Sequence, residues 1–596
     1  MGSTLRFDMR TALWLATIAA IVSGIVDVMH LFLMPPIELA SDPDSNLRLQ
    51  QVRDWMAGQS WFDVRLARFG LEGYTPMHWT RLADLLPAAF IVTFKPFVGQ
   101  ANAETIAVIV TPLLLRLPLF LACIWAVRRL VPEASTKVVG LSVLIVGLHL
   151  GILNSQFTPG RIDHHNLQLV AFAVFIGGFL GERTFRSGLI SAAGLIAGLV
   201  VGLDALPHVA ATILAIGILW LIDPQREKAF LTGMGIGTLA LTTILGPIFI
   251  PQPWTTTWCD SWTVPLAAIM LGFGGVALLI AGPFGKLDQI WKRFAAAGLS
   301  GGSVLAAMFW TFPSCRNPLP LQDPLILKYW MGSIGENANA LQMLAESPSL
   351  ATEWILPLVA AIFFLYLVKL KRFESTAIAP LLSALAIGLV FGGLYFRGLP
   401  MLNLLTLLAL IPLIIYFFET QKTSDTRIAI YAGISMFYLV GSVAVGIFQG
   451  NSKTSTNVVT NGAPSSTLVE TYCLKGEALT RVQALPAGSM IAAFGPSEYL
   501  LRMSHHTTSF AGYHRAKDDV LWTIRWLTST PEKARAMLKE HRPKYLNICP
   551  LTRHYKIMAA GEPNSLIAQL MKGKVPDWLK PVVSLSGGGE VYEIQP

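Results

Sequence analysis

The stretch Val264–Ala281, VPLAAIMLGFGGVALLIA, runs for eighteen residues without a charge. A short segment carrying Lys286, Lys292 and Arg293 follows it, and then a second apolar run, 294–312. A hydrocarbon core about 30 Å thick takes roughly 20 residues of apolar helix to cross. An apolar run, a basic turn and another apolar run therefore read as two spans joined on the cytoplasmic side, where short loops collect Lys and Arg. The pattern recurs around Arg128-Arg129, Arg183–Arg186, Arg226–Lys228 and Lys369–Arg372. Working outward, about thirteen spans are expected: 11–34, 84–128, 136–155, 166–181, 188–204, 208–222, 230–250, 264–281, 294–312, 352–369, 377–395, 400–418 and 428–448. The run 84–128 is too long for one span, so its first part is expected to be interfacial or re-entrant. With Met1–Arg10 inside, all the basic loops fall inside and the chain ends outside.

Composition agrees. Of 596 residues, 53% are hydrophobic and only 14% charged, against roughly 25% charged in soluble domains. Mean hydropathy is +0.54. The formal charge of +9 sits largely in the short loops, which argues against a nucleic-acid surface. Five cysteines are too few for a disulfide scaffold. The first apolar run shows no small-residue cleavage site and reads as a retained helix, not a signal peptide. The fold class is an α-helical polytopic membrane protein.

The chain divides into a transmembrane part, 1–449, a Ser/Thr/Asn-rich linker, 450–466, and a soluble extracytoplasmic part, 467–596. In the last, Ser489–Phe494 and Tyr545–Cys549 read as buried strands, Lys517–Ser529 and Pro531–His541 as amphipathic helices, and Val582–Ile594 as a terminal strand or hairpin. That alternation predicts a small α/β domain. Cys259 and Cys315 fall in outside loops, and Cys473 and Cys549 in the terminal domain. Each pair is a candidate disulfide in an oxidising envelope.

Polar residues concentrate in the outside loops 35–83, 156–166 and 313–351. A transporter keeps them near mid-membrane, in broken helices, so the pattern favours chemistry at the surface. Three acidic sites share that face: Asp42-Pro43-Asp44-Ser45-Asn46-Leu47-Arg48, Asp163-His164-His165, and Ser333-Ile334-Gly335-Glu336. Carboxylates and imidazole suit a divalent cation such as Mg²⁺ or Mn²⁺, which stabilises a phosphate leaving group. Each also has a plainer reading. A loop aspartate is often only solvated, the histidines can cap the following helix, and Glu336 can be structural. Leu47–Leu66 reads as an amphipathic helix along the interface, and Asp204 and His208 either as caps of a turn or as residues for acceptor binding. His505-His506 and Tyr513-His514-Arg515 are surface or packing residues unless they face the cleft.

In order, these motifs resemble those of oligosaccharyltransferase catalytic subunits. The stretch 42–48 is similar to their first-loop Asp-Pro-aromatic-aromatic-Asn-aromatic-Arg motif. Gly160–His165 resembles their second acidic motif, and Ser333–Glu336 their Ser-Val-Ser/Ala-Glu motif. The resemblance covers roughly residues 10–450. It implies a GT-C glycosyltransferase that takes sugar from a polyprenyl phosphate or diphosphate at the periplasmic face of a bacterial inner membrane. It also implies Asp42, Asp44, Asp163 and Glu336 as catalytic residues, and Asp42, Asp163, His165 and Glu336 as metal ligands. Arg397, in Tyr395-Phe396-Arg397-Gly398, matches the family's phosphate-contacting arginine, and Arg161 and His164 join it. Two features depart from the pattern. His165 replaces a second carboxylate, and no Trp-Trp-Asp-x-Gly motif follows; Trp522 and Trp526 with Asp518-Asp519 do not match it. The expected acceptor is therefore a lipid, a glycan or another protein side chain. A flippase for an envelope lipid and an envelope scaffold are the alternatives.

Overall fold

The computed structural model describes residues 6–33, 42–253, 255–317, 323–370, 374–420, 471–510 and 513–595. Among these, eight helices are long and apolar enough to cross a membrane: Met9–Met29, Leu85–Leu130, Pro224–Phe249, Val264–Lys286, Ile290–Thr311, Pro348–Lys369, Ser375–Leu394 and Phe396–Tyr416. Four shorter apolar helices join them: Thr136–His149, His165–Phe179, Phe185–Val201 and Leu206–Ile222. The chain is a multi-pass membrane protein. These twelve helices fall on the first twelve expected spans. The thirteenth, 428–448, and the linker lie outside the described residues.

Within 84–128 the change of course comes at Gly99, with φ 79° and ψ 168°, a conformation glycine adopts at little cost. Elsewhere small residues set how closely helices approach. Phe185–Val201 and Pro224–Phe249 cross at Gly188 and Gly233. A Cβ on either would lie 2.1 Å from a backbone oxygen of the other helix, so the crossing needs glycine. Beside it, Arg183 and Glu227 form a buried ion pair at 2.7 Å. Ile290–Thr311, by contrast, buries none of its residues.

The segment after the first span is not the expected surface helix. The helix runs Pro43–Met56 and stops before Gly58, which sits at φ 107°. Asn46, Arg48 and Gln51 are fully buried, because the C-terminal unit covers this helix. Arg48 and Arg81 both reach the buried carboxylate of Asp84, at 2.9 and 3.1 Å, and the Arg48 guanidinium lies 4.5 Å over the Trp79 ring. A hairpin of β1 (Arg65–Ala67) and β2 (Tyr74–Pro76) completes the loop.

The C-terminal unit is built on a sheet of β3 (Ser489–Ile491), β4 (Thr507–Ser509), β5 (Tyr545–Ile548), β6 (Leu579–Ser584) and β7 (Glu590–Ile594). The strand order is β4-β3-β5-β7-β6. β3 runs parallel to β4 and β5, while β7 is antiparallel to β5 and β6. Helices Lys517–Thr528 and Pro531–Met537 pack on it, the second ending four residues before the expected His541. Both candidate disulfides form, with Cα–Cα distances of 5.2 Å for Cys259–Cys315 and 5.9 Å for Cys473–Cys549.

The unit shares its cores with the loops beneath. Ile326, Tyr329 and Trp330 belong to the cluster of Trp522, Trp526 and Leu546. Leu47, Phe69 and Trp79 pack with Leu501 and Tyr513. Arg68 donates to the carbonyls of Leu501, Ser504 and His506. Loops and C-terminal unit thus form one roofed body on the helices.

Candidate active site

Five chain segments meet under this roof. Asp42 is the N-cap of the Pro43–Met56 helix; its Oδ2 accepts from the Ser45 amide at 3.0 Å and the Ser45 hydroxyl at 2.8 Å. Asp44 lies in the first helical turn. Gly160, at φ 96°, turns the next segment so that Arg161 and Asp163 arrive beside them. Burial raises Asp44 well above the usual carboxylate range, and the negative charges of Asp163, Asp42 and Glu336 add to it. Asp42 is raised by burial and held back by Arg161. Carboxylates from three outer loops are therefore close enough to feel one another, with Arg161 among them.

Asp163 is buried at the start of the helix His165–Phe179. Its Oδ1 accepts from both the amide and Nδ1 of His164, each at 2.5 Å. Nε2 of His165 stands 3.3 Å from its Oδ2. Asp204 completes the group, 3.4 Å from His164 Nε2 and 3.5 Å from His165 Nδ1. Burial alone would lower His164, but Asp163 and Asp204 hold it up to about 10. Burial alone would raise Asp163; the two histidines instead hold it well below its ordinary value. A cationic His164 between two carboxylates is the resulting state.

Two expectations change here. Asp204 does not cap its turn: the N-cap of Leu206–Ile222 is Ala205, without a side-chain bond. Asp204 serves the histidines instead, because the turn between helices Phe185–Val201 and Leu206–Ile222 abuts the Asp163 segment. His164 occupies the N-cap position of its own helix but makes no capping bond. Both its ring nitrogens face carboxylates instead. His208 is fully buried, ring edge against Phe172 and Phe391.

Glu336 sits on a short 3₁₀ turn, Gly335–Asn337. Arg161 and Arg397 each approach its carboxylate at 3.9 Å, and Arg397 also donates to Asn337 Oδ1 at 3.0 Å. These are loose contacts between partly exposed groups. They leave both guanidiniums able to take another anion.

The roof adds residues that the sequence left as surface or packing positions. Tyr513 hydrogen-bonds the ring of His78, whose centroid lies 5.8 Å from that of His164 and 5.1 Å from that of His514. His514 and Arg515 both bind Asp260, the latter at 2.6 Å, and the Arg515 guanidinium lies 3.7 Å from the Trp258 ring centroid. His505 and His506 stay away from the cleft, facing the carbonyls of Leu485 and Val482. His78 and Asp260 stand in no motif, and only their neighbours in space reveal them.

The donor set fits a divalent cation. Ligand atoms of Asp163, His164 and His165 lie within 4.8 Å of one another; of these, Asp163 and His165 supply the lone pairs, since the cationic His164 has none to give. Asp163 Oδ2 is buried and, among the described residues, accepts no hydrogen bond; only His165 Nε2 approaches it, which leaves the two atoms to share a cation. Carboxylate oxygens with one imidazole suit Mg²⁺ or Mn²⁺, and also Zn²⁺.

No family model matches the chain, and no curated protein matches it. Solved structures do. The archaeal oligosaccharyltransferase AglB from Archaeoglobus fulgidus, in complex with an inhibitory peptide and a dolichol-phosphate, aligns over 96% of this chain and 72% of its own, with a TM-score of 0.66 and 12% identity. The Archaeoglobus fulgidus oligosaccharyltransferase tethered to an acceptor peptide containing the NVT sequon aligns over 98% and 74%, at 0.63 and 11%. The same oligosaccharyltransferase complexed with Zn and sulfate aligns over 97% and 73%, at 0.58 and 12%. The chain shares the fold of these oligosaccharyltransferases.

Proposed function

We propose that this protein is a GT-C glycosyltransferase. It moves a sugar or oligosaccharide from a polyprenyl-phosphate or -diphosphate carrier to an envelope acceptor at the periplasmic face of a bacterial inner membrane. The observation that supports this reading is that Asp42, Asp44, Asp163 and Glu336 feel one another's charge and that of Arg161, with Arg161 and Arg397 each 3.9 Å from Glu336, at one mouth of the helices. A polyprenyl chain stays in the bilayer, so its headgroup must be met at such a mouth. The known structures of the same fold hold dolichol-phosphate in one case and zinc with sulfate in another, ligands of the chemistry proposed here.

Arg161 and Arg397 take the donor phosphate from two sides, exchanging their loose hold on Glu336 for phosphate oxygens; guanidinium suits that geometry. The acceptor oxygen attacks the anomeric carbon, and the bond from that carbon to the phosphate oxygen breaks. The phosphate leaves with the electron pair. The acceptor proton passes to Asp42 or Asp44; burial raises both, which makes them better bases than solvated carboxylates. Asp163 and His165, with Asp42 and Glu336, would hold a divalent cation, whose chemistry there would be to offset charge on the leaving phosphate. Asp204 orients His165, and His164 positions Asp163.

The test is transfer by the purified protein in lipid, using radiolabelled polyprenyl-linked sugars with and without Mn²⁺. Metal-dependent release or transfer of label that disappears in Asp163→Ala is expected. Intact donors across a broad panel, with folded protein, would turn the reading toward transport or scaffolding.

A further inference from the structure

The turn that brings Arg161 and Asp163 into the cluster hangs on the helix Leu85–Leu130 at two points. Gly160 donates its amide to the Val108 carbonyl at 2.9 Å. Three residues earlier, the Phe157 carbonyl accepts from the Arg116 guanidinium at 3.0 Å. From the other side, Asn403 Oδ1 accepts from the Leu153 amide at 3.3 Å. All three bonds go to backbone, so what they fix is the path of the chain into Asp163.

A carbonyl inside an α-helix is ordinarily taken by the amide four residues on. The Val108 carbonyl is open to Gly160 because the residue four on is Pro112, which has no amide hydrogen and whose ring pushes that carbonyl aside. Membrane helices tolerate such a break where a neighbouring group fills it. Here the filling group is the glycine that turns the chain toward Asp163. Val108 and Gly160 are both buried, so water does not compete for the bond. A later proline of the same helix, Pro118, works differently: the Leu114 carbonyl that it frees accepts from no other backbone segment among the described residues.

Arg116 is fully buried in a membrane-spanning helix. Its Nη2 reaches both Asp27 of the first span and the Phe157 carbonyl. Ionised groups at such depth are costly and rarely serve packing, which apolar side chains do better. What this pair secures is the carbonyl three residues before Gly160.

We propose that Pro112, through the carbonyl it frees, and Arg116, paired with Asp27, are positioning residues for sugar transfer. They hold the turn Phe157–Asp163 so that Arg161 and Asp163 meet Asp42 and Glu336. Their effect on transfer rests on the glycosyltransferase reading of that cluster; their hold on the turn does not.

The test compares wild type, Pro112→Ala and Pro118→Ala as full chains in lipid nanodiscs, by hydrogen exchange, Mn²⁺ binding and transfer. Pro112→Ala gives Val108 back its helical partner, so the helix gains a bond and the turn loses one. Faster amide exchange confined to residues 157–165 is expected, with weaker Mn²⁺ binding and a roughly ten- to hundredfold loss of transfer. The melting temperature should be no lower than that of wild type, which separates this outcome from misfolding. Pro118→Ala should exchange, bind and transfer as wild type does. Asp27→Asn with Arg116→Met, which strands no charge in the membrane, should loosen the same residues as Pro112→Ala. The proposal is overturned if Pro112→Ala exchanges as wild type does, if exchange quickens while transfer is unchanged, or if Pro118→Ala matches Pro112→Ala. A wild type that binds Mn²⁺ but transfers nothing would overturn the proposed function, and exchange with Mn²⁺ binding would then decide whether the turn is held.

Discussion

Asp204 stands between two imidazoles, 3.4 Å from His164 Nε2 and 3.5 Å from His165 Nδ1. The second contact matters more for chemistry. There Asp204 adds its charge beside the hydrogen bond that joins His165 Nδ1 and Gln168 Oε1 at 3.3 Å, and removing an outer partner of a ligating imidazole costs about 10–100-fold in metal affinity or activity. Asp204→Asn keeps the size of the side chain and removes its charge. The expected outcome is a rise of that order in the Mn²⁺ concentration needed for half-maximal transfer. Excess metal should restore most of the rate. A loss of rate that no metal concentration relieves would instead make Asp204 a direct participant. Gly202, two residues earlier, shows how tightly this turn is set: a Cβ there would lie 2.4 Å from Gln168 Nε2 and 3.1 Å from His164 Cδ2.

Among the elements, the segment Tyr513–Arg515 holds the roof down through Asp260. Burial alone would raise Asp260, but its bonds from His514 and Arg515 hold it far below the ordinary carboxylate value of 3.8. A carboxylate depressed in the folded state contributes stability above its unfolded value, and that contribution fades as pH falls from there toward the folded value. Docking of the C-terminal unit should therefore weaken between pH 5 and lower values, read as faster proteolysis within 471–595. The discriminating comparison is Asp260→Asn. It removes one partner of a largely buried pair, at a cost of about 3 kcal/mol, and should cleave rapidly at neutral pH with a flatter pH dependence from this site. The sequence showed the apolar runs, the basic turns and the strands of the terminal sheet plainly, because hydrophobic period and length decide them locally. Asp42, Asp163 and Glu336 were singled out for another reason, their ordered short motifs. The Asp260 contact was not, since it joins residues 255 positions apart that no local pattern connects. The Pro43–Met56 helix was misread as a surface element for the same reason: part of what covers it, Leu501 and Tyr513 against Leu47, lies more than four hundred residues away.

Across the whole molecule, the Cys259–Cys315 disulfide is the tie that makes the roof one piece with the mouth. Cys259 precedes Asp260, which holds Arg515 of the C-terminal unit. Cys315 opens the loop that carries Tyr329 into the C-terminal core and Glu336 to Arg161 and Arg397. The bond closes a separation of 56 residues, for which chain entropy gives about 4 kcal/mol at most. The fold has larger resources in its helix packing, so cutting the bond should spare the membrane helices and loosen the two loops. Cys259→Ser with Cys315→Ser should therefore lower turnover and raise the apparent KM for the lipid-linked donor, while helical content and melting of the bundle change little. Cys473→Ser with Cys549→Ser supplies the control. That bond lies wholly within the C-terminal unit, so its loss should destabilise the unit without changing donor KM while the unit remains folded. Equal effects of the two double variants on KM would mean that roof stability alone, and not the coupling of the Asp260 and Glu336 loops, sets donor binding.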